Sequence, residues 1–205
     1  YGASNGVINT LFRNPDGTFA YDQVQEMNAA STTGSNMIMS ESINSHKWYG
    51  LVSTYRNEFI PQRLTFTGGI DFRYYIGTHQ NKIIDLYDGE YYMDDSSRKN
   101  VYAANNAVAA DPMWKYEKLG VGDIVYRDYD GHVLQEGAFA QAEYNMFDKK
   151  LNLVLAGSIN NTSYWRVDRF YYDEAHGKSA TVNALGGTIK GGANYNIDRH
   201  NNVFF

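Results

Sequence analysis

Residues 63–76, RLTFTGGIDFRYYI, constrain the chain more than any other stretch. The even positions Leu64, Phe66, Gly68, Ile70, Phe72, Tyr74 and Ile76 carry no charge. The odd positions Arg63, Thr65, Thr67, Gly69, Asp71, Arg73 and Tyr75 hold every charge of the stretch. A period of two sends one set of side chains to each face of a strand. Globular strands run about 5–6 residues. At ~3.3 Å per residue this one extends roughly 45 Å, and a tilt of about 45° leaves ~30 Å of height. The apolar band of an outer-membrane barrel is about 25 Å tall. The strand is long enough to cross it.

Composition agrees with a strand-and-turn chain. Of 205 residues, 15% are aromatic, with 18 Tyr, 19 Gly, 3 Pro and no Cys. Tyr favours strands, whereas Gly and amides favour turns. No apolar run reaches the length of a transmembrane helix. The mean hydropathy of −0.52 is compatible with a barrel, because half of each spanning strand faces a polar interior. A net charge of −5 without a basic cluster argues against nucleic acid. Without Cys there are no disulfides and no thiolate metal sites. The chain has no initiating Met or signal peptide, and residues 202–205 read as an opening strand, so a fragment of a longer protein is expected.

The predicted architecture is all-β, with long antiparallel strands in hairpins forming part of an outer-membrane barrel. Residues 1–44 are expected to be an outer loop segment. Within them Asn14-Pro15-Asp16-Gly17 has turn chemistry. Asp22-Gln23-Val24-Gln25 resembles a capping box for a two-turn helix through Ala30. Strands are expected at about 46–59, 63–76, 132–146, 151–167, 181–197 and 202–205, and a bulge near Asn160-Asn161, where the apolar parity breaks. In the first of these, the lipid-facing set is ambiguous. Short turns fall at 60–62, 147–150 and 198–201. Long loops fall at 1–44, at 77–131 (with a short helix over 100–110, ended by Asp111-Pro112) and at about 169–179. Short turns at one end and long loops at the other match the two sides of a bacterial barrel. Tyr55, Tyr144 and Tyr195 lie just before the short turns, where an interfacial aromatic girdle would sit.

Candidate chemistry is sparse. Asp128-Tyr129-Asp130-Gly131 fails the EF-hand pattern, with Tyr126 and Gly137 at ligand positions, and reads as a turn entering a strand. The five His are scattered without i,i+4 spacing, so no metal or other cofactor is expected. No carboxylate pair, nucleophile elbow or phosphate loop stands out, and no enzyme activity is expected. The sequons at Asn160 and Asn161 mean little in a bacterial chain. On the polar faces, Asp71, Arg73, Gln141, Glu143 and Lys190 are either solvated or paired interior residues, or contacts for a solute or plug. The loop aromatics Tyr91, Tyr92, Trp114 and Tyr116 can stack on an amphipathic ligand such as a sugar, or pack within their own loop.

Three groups of motifs carry a family resemblance. The first is His46-x-Trp48-Tyr49-Gly50-Leu51 with Leu64-Thr65-x-Thr67-x-Gly69-Ile70-Asp71-x-Arg73-Tyr74-Tyr75. The second is Asp85-Leu86 with Gly89-x-Tyr91-Tyr92. The third comprises Gly137-x-Phe139-x-Gln141-x-Glu143-Tyr144, Tyr164-x-Arg166-x-Asp168-x-Phe170 and Gly187-x-x-Lys190-x-Gly192-x-Asn194-Tyr195. In order and spacing they resemble the TonB-dependent outer-membrane receptors of Bacteroidetes. The resemblance implies a plugged 22-stranded barrel for uptake of siderophores, vitamins or oligosaccharides. It also implies TonB as a partner through a plug segment, outer-membrane lipid around the wall, and in some relatives a surface lipoprotein lid. The alternative from another class is a soluble secreted β-sandwich that binds carbohydrate, with shorter strands and its apolar faces packed together.

Overall fold

The computed structural model describes residues 3–4, 7–8, 12–98, 113–172 and 174–205. The chain is all-β, with long antiparallel strands in hairpins, an order that fits part of a β-barrel. A small hairpin, β1 (Ala3–Ser4) and β2 (Val7–Ile8), comes first, followed by helix α1 (Tyr21–Ala29). One six-stranded sheet then runs in sequence order: β3 (Met39–Ile60), β4 (Leu64–Asp85), β5 (Ile124–Met146), β6 (Leu151–Asp168), β7 (Val182–Asn196) and β8 (Asn202–Phe204). Between β4 and β5 lie a helical turn α2 (Asp95–Arg98) and a 3-10 turn at Trp114–Tyr116. The helix expected over 100–110 lies outside the described residues.

Several boundaries differ from the sequence reading. The predicted long loop 77–131 is strand through Asp85 and again from Ile124, and the predicted loop 1–44 already contains α1 and the start of β3. Alternation disappears at Thr78–Lys82 because both faces are polar there. Cross-strand contacts maintain the ladder instead: His79 stacks on Tyr129 at 4.9 Å and Gln80 donates to Asp128 at 3.0 Å. Asp128-Tyr129-Asp130-Gly131 is thus the interior of β5, not a turn. The expected bulge at Asn160-Asn161 is absent, since β6 and β7 pair without interruption from Leu151↔Tyr195 to Tyr164↔Val182. The parity break is a change of side chain only. Asn161 donates to Ser163, and Ser163 to Asn183, so these polar groups satisfy one another in register. The capping box also fails: α1 starts at Tyr21, its N-cap Ala20 offers no side-chain bond, and Asp22 sits in the first turn, where a negative charge suits the helix dipole.

The short turns form where expected. Gly17 takes a φ of 84° and donates to the Asn14 carbonyl at 2.9 Å. Arg63 N–H closes the β3–β4 turn on the Ile60 carbonyl at 2.9 Å. In the turn from β7 to β8, the Asp198 carboxylate accepts from the His200 and Asn201 amides at 2.7 and 2.8 Å. Those bonds hold its carboxyl below the usual range, the Asn201 side-chain amide contributing most.

The described chain divides into two compact units. Unit 1 comprises Tyr1–Ser45, Thr78–Asp130 and Arg166–Lys178. Its core is Ile83, Leu119 and Val125, with Ile38, Leu86, Tyr92 and Tyr126 packed against them. A second anchor is the buried side chain of Asn28 at the end of α1. It donates to the Met37 and Leu86 carbonyls at 2.7 and 2.9 Å and accepts from the Asn36 and Met37 amides at 2.9 and 3.3 Å. One amide side chain thereby ties α1, the entry to β3 and the exit of β4. Unit 2 comprises His46–Gly77, Gly131–Trp165 and Ser179–Phe205. It is a two-faced sheet, and its faces are the candidate site.

Candidate functional site

Contacts between strands assign the faces of unit 2. Tyr49 of β3 stacks on Tyr74 of β4, and Phe59 meets Phe66 edge-on at 6.1 Å. The odd positions of β3 (Tyr49, Leu51, Tyr55, Phe59) therefore share the apolar face of Leu64–Ile76. This resolves the set that the sequence left ambiguous. On β6 and β7 the same face carries Leu155, Ile159, Leu185 and Ile189, which are 62%, 56%, 75% and 86% exposed. Among the described residues nothing covers them.

A row of aromatic rings crosses this face at one level. Tyr49 and Tyr74 lie 6.4 Å apart at 22°, Tyr74 and His132 5.9 Å apart at 18°, and His132 and Trp165 5.0 Å apart at 4°. The Tyr74 hydroxyl and His132 Nδ1 are hydrogen-bonded at 2.8 Å. The row thus spans β3, β4, β5 and β6. Near the short turn, Phe59 and Phe66 mark a lower level. From Tyr49 to Phe59 is a rise of ~33 Å at ~3.3 Å per residue, or ~23 Å if tilted about 45°, close to the ~25 Å apolar band between the girdles of a membrane barrel. The sequence reading found Tyr55, Tyr144 and Tyr195 but missed this row. Parity alone did not reveal it, because the face of Tyr49 was open in the sequence and the bulge expected at Asn160-Asn161 would have shifted Trp165; the ring contacts place all four together.

The opposite face is polar and largely paired with itself. Asp71 and Arg73 form a bidentate pair at 3.0 and 2.8 Å. Gln141 donates to Glu143 at 2.7 Å, Asn152 to Asn145 at 3.0 Å, and Ser158 bonds Thr188 at 2.8 Å. Lys190 pairs in register with Ala156, two residues from Ser158 on the same face, and stands exposed. Asp71, Arg73, Gln141, Glu143 and Lys190 therefore share one face, as their parity predicts. Aromatic rings fill the gaps that glycines leave. The Phe139 ring lies over Gly69, where an added Cβ would fall 2.3 Å from the Ser53 carbonyl oxygen and 2.7 Å from the ring.

The loop aromatics belong to unit 1, and they are not gathered on one surface. Tyr92 packs into the core, edge-on to Tyr126 with its hydroxyl accepting from Tyr126 at 3.3 Å; burial first, then that bond, pushes its phenol well up. Tyr91 packs where Gly34 has no side chain, under the Lys118 ammonium at 4.2 Å. Trp114 is stacked by Arg98 at 4.5 Å and packs on Phe170 at 5.7 Å. Tyr116 alone among them is exposed. Elsewhere in unit 1, Arg169 bridges Asp128 and Asp130 at 2.7 and 2.8 Å, and its hydrogen bonds to these two carboxylates raise its pKa further. Among the described residues no cluster of His, Asp or Glu could hold a metal ion.

No protein-family model, curated protein or solved structure matches the chain.

Proposed function

We propose that the chain is a section of the wall of an outer-membrane β-barrel of the TonB-dependent receptor type, which takes up a siderophore, vitamin or oligosaccharide. In that reading the apolar face meets outer-membrane lipid and the polar face lines the interior. TonB acts through a plug segment elsewhere in the protein, and a surface lipoprotein can lid the outer end. The observation that carries the membrane part is the uncovered apolar face, bounded by aromatic rings on four adjacent strands. An apolar face of this extent in water is an aggregation liability, whereas in lipid it is solvated and its rings sit at the headgroup level. A carbohydrate-binding sandwich would bury this face under a second sheet and does not call for strands of 22 and 23 residues. The receptor part rests on the motif resemblance alone.

Cell fractionation of the full-length protein, followed by electrophoresis with and without boiling, tests the reading. Recovery with the outer membrane and a heat-dependent shift in mobility are expected. Recovery as a soluble protein that migrates identically in both lanes would sink it. Uptake is tested separately by deleting the gene segment for the TonB-contacting region and measuring growth on limiting nutrient.

A further inference from the structure

Unit 2 carries a polar cavity of about 290 Å³ at the short-turn ends of its strands. It is lined by Pro61, Gln62 and Arg63 of the β3–β4 turn and by Phe147, Asp148 and Lys149 of the β5–β6 turn. Asn145 of β5 joins them, its N–H donating to the Arg63 carbonyl at 2.7 Å. Further bonds pin the second turn. Lys150 N–H closes on the Phe147 carbonyl at 3.1 Å, and Asn196 of β7 holds the Lys149 and Lys150 carbonyls through its side-chain and main-chain N–H at 3.0 and 2.7 Å. Gln62, Phe147, Asp148 and Lys149 are all left-handed, with φ of 58°, 52°, 54° and 68°, a conformation costly to any residue with a Cβ. Strain of this kind gathers at ligand clamps. Here it displays two cations. Among the described residues neither the Arg63 guanidinium nor the Lys149 ammonium has a hydrogen-bond or ion-pair partner. Asn145 accepts from Asn152 through Oδ1, which keeps its Nδ2 as a donor.

We propose that this cavity binds the phosphodiester headgroup of a glycerophospholipid. A phosphate presents its oxygens in a tetrahedral array, so it can accept from the Arg63 fork, the Lys149 ammonium and a side-chain amide at once. A planar carboxylate offers the same donors fewer directions. Two cations and the Asp148 carboxylate leave the lining with one net positive charge, which matches a phosphodiester monoanion better than a phosphate dianion. At ~30 Å³ per water-sized group the volume takes on the order of ten non-hydrogen atoms, the size of a glycerophosphate. Phe147, 65% exposed, and Pro61 set apolar surface beside the cations, as the border between headgroup and acyl chain requires. The choice of a lipid over a soluble diester rests on the barrel reading, which puts the short turns at a headgroup level.

The test is native mass spectrometry of the full-length protein released from amine-oxide micelles and titrated with dioleoyl phosphatidylglycerol. Dioleoylglycerol, which lacks the phosphate, and the deacylated diester glycerophosphoglycerol are the comparators. The tightest phosphatidylglycerol site should weaken roughly tenfold in Arg63→Gln and in Lys149→Gly, the low end for a hydrogen bond to a charged group. Asp148→Asn should tighten it. Lys150→Gln should leave it unchanged, because Lys150 is another exposed cation of the same turn that does not line the cavity. Two variants guard against misfolding: glycine at 149 relieves a left-handed position, and a gain in Asp148→Asn cannot come from a damaged fold. The inference is overturned if dioleoylglycerol binds as tightly as phosphatidylglycerol, if Lys150→Gln weakens binding as much as Lys149→Gly, or if Arg63→Gln and Lys149→Gly bind as wild type does. Displacement of the lipid by an equimolar amount of the deacylated diester would overturn the lipid as the ligand. Failure of the barrel reading shows differently, as a protein recovered in the soluble fraction.

Discussion

Removing the Asn28 side chain should loosen unit 1 sharply. The group is 2% exposed and makes two donated and two accepted hydrogen bonds to the backbone of two segments, residues 36–37 and Leu86. At about 0.5–1.5 kcal/mol net per bond, the four together contribute ~4 kcal/mol. Water entering the vacated space recovers part of this, so Asn28→Ala should cost about 2–4 kcal/mol. With 1.4 kcal/mol per tenfold, the amides of Asn36 and Met37 should exchange with solvent faster by roughly 30-fold to 700-fold. Asn28→Asp is a sharper probe, because it keeps the shape but turns two donors into acceptors facing the Met37 and Leu86 carbonyls. It should be at least as damaging as Ala at neutral pH. The assay is hydrogen exchange followed by mass spectrometry, with peptides from the paired β6 and β7 strands as an internal reference. Unchanged protection at Asn36 and Met37 in both variants would refute the clamp.

Three further outcomes follow from the geometry. Gly69→Ala should destabilise unit 2 by about 1–3 kcal/mol through overpacking, because its methyl would fall 2.3 Å from the Ser53 carbonyl oxygen; a chemical denaturation midpoint equal to wild type would contradict this. Phe147, Asp148 and Lys149 hold φ values of 52°, 54° and 68° in succession, so Lys149→Gly should raise stability by roughly 1 kcal/mol, read from the same denaturation curves. The Tyr92 phenol is raised above its ordinary 10.0, so its contribution is complete below pH ~10 and declines as pH rises beyond that value. Tyr92→Phe should therefore flatten the alkaline loss of stability of unit 1, measured by circular dichroism between pH 9 and 12.

The sheet was legible where one face is apolar and the other polar. Residues 63–76 revealed their strand because Ile70 and Phe72 alternate with Asp71 and Arg73, and the short turns declared themselves through Pro61, Asp148 and Asp198. The strand extensions were hidden because Thr78–Lys82 and Arg127–Asp130 are polar on both faces, and their ladder depends on cross-strand partners such as His79 with Tyr129. Asn160-Asn161 suggested a bulge because parity cannot distinguish a shifted register from polar residues that bond one another, as Asn161 and Ser163 do. The aromatic row escaped for a related reason: Tyr49, Tyr74, His132 and Trp165 come from four strands, and only pairing brings them level.

The central claim is that the two faces of unit 2 meet different solvents, lipid on one and water on the other. The chain contains no Cys, so single cysteines can be placed in turn along β6 and β7 of the full-length protein, cleared of any others, in bilayers. Labelled with a fluorophore, positions Leu155, Ile159, Leu185 and Ile189 should be quenched by spin-labelled lipid and shielded from aqueous iodide. Positions Ser158, Asn160, Thr188 and Lys190 should show the reverse. Alternation with a period of two along both strands is the expected result. Uniform quenching by iodide at all eight positions, with none by lipid, would contradict the account.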